Sequence, residues 1–143
     1  MKETILAVLG AIGAAIASYF GGWTSAMTTL LIFMAIDYFT GIICAGVFNA
    51  SPKSESGALE SRAGFKGLCR KGVVLLIILV AARIDLLLDT TYFRDGTCIA
   101  FILNELLSII ENAGLMGIPI PKVITKAIEI LKNKSEENTE EDE

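Results

Sequence analysis

The chain contains no histidine, only three cysteines and three prolines in 143 residues, and not one charged residue between Thr4 and Ile36. Without histidine, Ser/His and Cys/His catalytic pairs are excluded, and most metal sites go with them. Cys44, Cys69 and Cys98 are widely spaced and odd in number, so there is no CxxC pair and no disulfide framework to expect. No GxGxxG or GxxxxGK run occurs, and bases do not interleave with aromatics as in nucleic-acid binding. The sequence therefore predicts no catalytic residue, no cofactor, no metal and no nucleic-acid partner, and the chain is not read as an enzyme.

What the chain has is apolar surface. Hydrophobic residues make up 53% and charged residues 20%, with a mean hydropathy of +0.61, the balance of a membrane protein in one small domain. The net charge of −4 belongs to one end. Of 16 acids and 12 bases, six acids and one lysine fall in "NKSEENTEEDE" (133–143), leaving ten acids against eleven bases elsewhere. Such a run reads as a solvated, disordered tail.

An apolar stretch of about twice the length needed to span hydrocarbon runs from Thr4 to Phe48, broken by "YFGGWTS" (19–25), whose glycines and aromatics suit a turn at an interface. Four spans are expected, at about 4–20, 24–48, 72–88 and 97–118, forming a transmembrane domain over 1–118. Pro119 and Pro121 close the last span. An amphipathic cytoplasmic helix (119–134) and the disordered acidic tail (135–143) follow. The fold class is thus an all-α integral membrane protein. Segment 49–71 holds five bases and two acids, whereas 89–95 holds one base and two acids. By the positive-inside rule the first loop is cytoplasmic, the second external, and both termini are inside. Arg62, Lys66, Arg70, Lys71, Lys122 and Lys126 are the expected topology and lipid-contact residues. Two alternatives concern the N-terminus. "AIAS" (15–18) resembles a signal-peptidase site, but no polar mature segment follows it; and a first segment that inserts reversibly would leave three stable spans.

Each helix sorts its residues. In the first, Gly10, Ala14 and Ser18 recur every four residues beside Gly13 and Ala17, a spacing that lets backbones approach closely in lipid. In the second, Asp37, Thr40, Gly41, Cys44 and Ala45 share a face, with Gly41 and Ala45 as packing positions. An aspartate at mid-bilayer costs about 2.5 to 3.5 kcal/mol on insertion scales, so Asp37 should face protein or water. In the fourth, Asn104, Glu105, Ser108, Glu111 and Asn112 fall within about 120° at 100° per residue, one polar stripe opposite a leucine and isoleucine face. With Asp37 and Thr40 they make a candidate pore lining or polar seam. Depth along the expected spans pairs Arg83 with Glu105 in an intramembrane salt bridge and leaves Asp37 and Glu111 with no cation at their level.

"DYFTGIICAG" (37–46), "SRAGFKGLCRKG" (61–72), "ARID" (82–85) and above all "NELLSIIENAGLMGIPIP" (104–121) resemble the phage holin family that includes the toxin-secretion holins of clostridia. The resemblance covers roughly residues 30–131. It implies a protein of the bacterial cytoplasmic membrane that associates with itself as a homo-oligomer and opens lesions, releasing an endolysin for host cell lysis or a toxin as cargo without stable binding. An antiholin would be a further partner. Two other readings of the residues stand beside it: a small selective channel or transporter subunit, and a non-conducting, antiholin-like scaffold.

Overall fold

A computed structural model describes residues 1–140, with side chains through residue 137. The described residues form five helices: α1 (Lys2–Tyr19), α2 (Ser25–Gly46), α3 (Ser61–Leu88), α4 (Tyr92–Leu115) and α5 (Lys122–Glu140). The expected tight turn between the first two is present. Gly21 and Gly22 sit at φ +74° and +96°, a region where a Cβ is strained, and the Thr24 side chain accepts from the Met27 amide to start α2.

The centre of the bundle is α4, against which α2, α3 and α5 all pack, while α2 and α3 touch one another little. Met27, Leu30, Met34, Ile78, Cys98 and Ile102 form the buried apolar cluster. Its members come from the half of the bundle nearest the α1–α2 turn, so the other half is held by something else.

Two boundaries differ from expectation, and the cause is the same. Hydropathy detects only apolar residues, so it starts the third helix at 72 and the fourth at 97. Helical structure begins at Ser61 because Arg62, Lys66 and Arg70 are good helix formers that hydropathy ignores, and at Tyr92 because Asp85 accepts from the Phe93 and Arg94 amides of its first turn. α1, α2 and α4 are long and apolar enough to cross a membrane. At about 1.5 Å per residue, α3 is also long enough, but Lys71, Arg83 and Asp85 lie in or beside its apolar half.

α1 stands apart from the rest. None of its residues is buried, it touches only α3 among the other helices, and nothing lies within 4 Å of a Cβ built on Gly10 or Gly13. Of the small-residue face, Gly10, Gly13, Ala14 and Ser18 are thus exposed, and only Ala17 is half-buried. Gly41 and Ala45 do pack within the chain: a Cβ on Gly41 would meet Asn112 Nδ2 at 3.8 Å, and Ala45 is buried.

α5 folds back along α4 with Ala127, Ile128 and Leu131 half-buried and Lys122, Lys126, Glu129 and Asn133 exposed. It continues to Glu140, through residues expected to be disordered; lysines and glutamates are good helix formers once a packed face anchors the start. The rest of the expected tail, 141–143, lies outside the described residues.

Candidate functional site

Below the apolar cluster, the interior turns polar. Asp37 on α2 and Glu105 on α4 are both buried, and the Lys71 ammonium on α3 bridges them, 2.7 Å from Asp37 Oδ2 and 2.5 Å from Glu105 Oε2. The Asn112 amide extends the seam, donating to Asp37 Oδ1 at 3.2 Å and to Thr40 Oγ1 at 3.1 Å, while Thr40 donates to the Asp37 carbonyl. No buried side-chain polar atom among the described residues lacks a partner. Lys71 thus joins α3 to both α2 and α4 through one ammonium, and Asn112 joins α2 to α4.

This corrects the expected Arg83–Glu105 salt bridge. With α4 beginning at Tyr92 rather than 97, Glu105 lies roughly 20 Å along its helix at about 1.5 Å per residue, level with Asp37, whereas Arg83 lies roughly 8 Å from the end of α3. Arg83 is also on the exposed face of α3. The same shift brings Lys71 inside. Expected as a loop residue at the lipid surface, it stands ten residues into a helix, and its long side chain reaches both acids. The level of Asp37, taken to hold no cation, holds this one.

Beside the seam is a cavity of about 740 Å³ between α2, α3, α4 and the 47–60 connection, lined by Asn104, Glu105, Ser108 and Glu111 of α4 and by Lys53, Ser54, Leu59 and Glu60 of the connection. The polar stripe therefore divides. Glu105 and Asn112 are buried between helices, while Asn104 and Glu111 are exposed and Ser108 is half-buried along the cavity. Lys53 reaches in from the connection, donating to Ser108 Oγ at 3.4 Å and standing 3.8 Å from Asp37 Oδ1. The connection holds its own shape: Ser51 N bonds the Gly57 carbonyl, Ser54 Oγ bonds the Ala58 carbonyl, and Gly57 (φ +74°) passes so close to Asn49 that a Cβ would lie 2.5 Å from its carbonyl oxygen.

A second polar centre lies at the opposite end. Asp85, near the end of α3, accepts from the Phe93 and Arg94 amides at 3.1 and 2.7 Å and from Thr90 Oγ1, so it caps the first turn of α4 from a neighbouring helix. Arg94 is itself buried, paired with Asp95, and donates through Nη1 to the Phe20 and Gly21 carbonyls at 3.1 and 3.0 Å. It pins the α1–α2 turn to the α3–α4 turn and places both at one end of the bundle. "ARID" carried the signal for Asp85, an acid a few residues before a helix start. For Arg94 the signal was faint: one cation in a short acidic turn.

Of the remaining expected residues, Arg62, Lys66 and Arg70 are exposed along α3, and Lys122 and Lys126 along α5. Among the described residues, no group of three or more cysteine, aspartate or glutamate side chains is arranged to hold a metal.

The bacteriophage holin family model matches residues 14–133. An uncharacterized protein of Clostridium perfringens strain 13 is 38% identical over 118 residues, 81% of this chain and 82% of its own. One from Listeria monocytogenes is 34% identical over 129 residues, 90% of this chain and 86% of its own. A probable holin of Bacillus phage phi105 is 32% identical over 127 residues, 88% of each chain. No solved structure matches. The chain belongs to the bacteriophage holin family.

Proposed function

From membership of the bacteriophage holin family, we propose that the chain accumulates in the cytoplasmic membrane of a bacterium, associates with itself, and opens lesions through which an endolysin or a toxin passes. The observation that carries this reading is the ionic seam: two carboxylates, an ammonium and an amide joined across three helices of an otherwise apolar bundle. Burying such a group is costly, and a neighbouring arrangement that offers it water removes that cost.

One copy has too few helices to enclose a wide passage, so many copies border it. The largely exposed α1, with Gly10, Gly13, Ala14 and Ser18 open along it and Ala17 half-buried beside them, supplies a surface on which copies pack. In the isolated subunit Lys71 holds Asp37 and Glu105 together. When subunits gather, separating α3 from α2 and α4 turns Asp37, Thr40, Asn104, Glu105, Ser108, Glu111 and Asn112 toward a lumen. The α1–α2 and α3–α4 turns face outward. The 47–60 connection and both termini are cytoplasmic, in line with the excess of bases in 49–71. In this reading α3 is a fourth span: its exposed apolar face lies between Arg70 and Arg83, roughly 20 Å apart at 1.5 Å per residue, and side chains that snorkel at each end make up the hydrocarbon thickness.

Induced expression in a bacterium tests the reading. Abrupt growth arrest with escape of a cytoplasmic enzyme is expected. Selective ion flux without enzyme escape would instead favour a channel subunit, and harmless accumulation a scaffold. In a background lacking Cys44, Cys69 and Cys98, an impermeant thiol reagent should label a cysteine at 108 and spare one at 107 at the moment of arrest. Equal protection of both positions overturns the wet stripe.

A further inference from the structure

Two consecutive cations of α3 point different ways. Lys71 is drawn inside to Asp37 and Glu105, whereas Arg70 stays exposed. With Arg62 at zero and about 100° per residue, Lys66 lies near 40° and Arg70 near 80°, while the buried Ile78, Ala81, Ala82 and Asp85 occupy about 100° to 200°. Arg62, Lys66 and Arg70 thus form a ladder one turn apart that winds from the outer side of the helix at Arg62 to the rim of the cavity at Arg70. Among the described residues no acid pairs with any of the three. The same outer face continues as a bare apolar strip along Val73, Leu76, Ile77 and Val80, 44 to 60% exposed.

A ladder of free cations at the head of an apolar strip has the layout of an anionic phospholipid. The ladder covers roughly 12 Å of helix at 1.5 Å per residue, enough to pass through the headgroup layer, and guanidinium groups bind phosphate oxygens in pairs. We propose that Arg62, Lys66 and Arg70 bind the phosphate headgroup of an anionic phospholipid in the leaflet on the 47–60 side, with an acyl chain lying along Val73, Leu76 and Ile77. The strip commits the site to a lipid, because free phosphate uses only the cations. The lysines of α5 are not part of it: they lie on a different helix, and the exposed apolar residues beside them, such as Val123 and Ile130, do not continue the strip of α3. The proposal rests on the reading of α3 as inserted in the bilayer. Lipid binding is measured without any lesion forming, so its failure and a failure to lyse cells are distinguishable.

The test uses the full chain in neutral detergent, offered equal phosphatidylglycerol and phosphatidylcholine, with retained lipid counted by native mass spectrometry. Phosphatidylglycerol should dominate on the unaltered chain. Neutralising the ladder (R62Q/K66Q/R70Q) should lower its retention by about tenfold or more, since each cation near an anionic surface contributes on the order of a fivefold factor. The charge-keeping variant R62K/R70K and the α5 variant K122Q/K126Q should keep the preference. An unchanged preference in the triple variant overturns the site, as does equal loss in the α5 variant or complete displacement by inorganic phosphate. If the triple variant does not accumulate, K66Q alone decides, with partial loss expected and no loss overturning the proposal.

Discussion

At one end of the bundle the buried acid Asp85 is satisfied mostly by backbone amides; at the other, Asp37 and Glu105 share one ammonium from a third helix, and the other partners of Asp37, the Asn112 amide and the more distant Lys53, are side chains too. Burial is similar at the two ends, but the partners are not. Backbone amides at a helix start stay where the helix is, so Asp85 and Arg94 fix the turns they touch. A lysine side chain has several rotatable bonds, and one of its two partners sits on α2, a helix that touches α3 little. One end is a permanent joint and the other a detachable one.

The largest expected effect comes from removing the detachable joint. Lys71→Met leaves Glu105 buried without its cation and Asp37 with only Lys53 at 3.8 Å, a change that costs about 3 to 5 kcal/mol in buried pairs. Unfolding of the purified protein in detergent should show that loss, and induced cells should arrest earlier. The triple variant D37N/K71M/E105Q, with no charge left to bury, should recover much of the stability, and if it does not, the ionic account of the seam is wrong. Next comes the permanent joint. Asp85→Ala removes three accepted hydrogen bonds and the cap of α4, with an expected loss of about 1 to 2 kcal/mol in the same unfolding measurement. The timing of arrest should follow protein abundance alone, which separates the two ends. A smaller effect is expected at Asn112→Leu. The amide bonds to Asp37 and Thr40 are lost while apolar volume is kept, about 1 kcal/mol in all, and a cysteine at 108 should label sooner. The smallest is Arg83→Gln, which should leave unfolding unchanged; a loss as large as that of Lys71→Met would restore Arg83 as the partner of Glu105.

The two ends also differ in how legible they are in the sequence. The polar stripe of α4 follows from spacing alone, since a helix of known period projects Asn104, Glu105, Ser108, Glu111 and Asn112 onto one side whatever its exact start. Asp37 and Thr40 meet it as periodicity suggests. Partner identity does not follow from period, because it depends on depth, and depth depends on where each helix begins. Hydropathy started α4 five residues late and α3 eleven residues late. Those offsets moved Glu105 toward Arg83 and left Lys71 in a loop. Asp85 and Arg94 were harder still, for their partners are backbone groups, which no side-chain pattern announces. Nor does any pattern say that Gly10 and Gly13 of α1 face open space within their own chain.

Leu131 of α5 rests against the apolar cluster, past the middle of the bundle as measured from the end where α5 is attached. Lys132, Lys134, Glu136 and Glu137 come after it. In a bilayer crossed by α2 and α4 along their full length, that position would set those charges beside acyl chains, so the docked α5 and the fully inserted α4 exclude one another. The six residues 116–121 act as a leash, reaching at most about 20 Å when extended. Full insertion of α4 would therefore require α5 to leave its place, and the side of α4 that it covers would then be open to a neighbour.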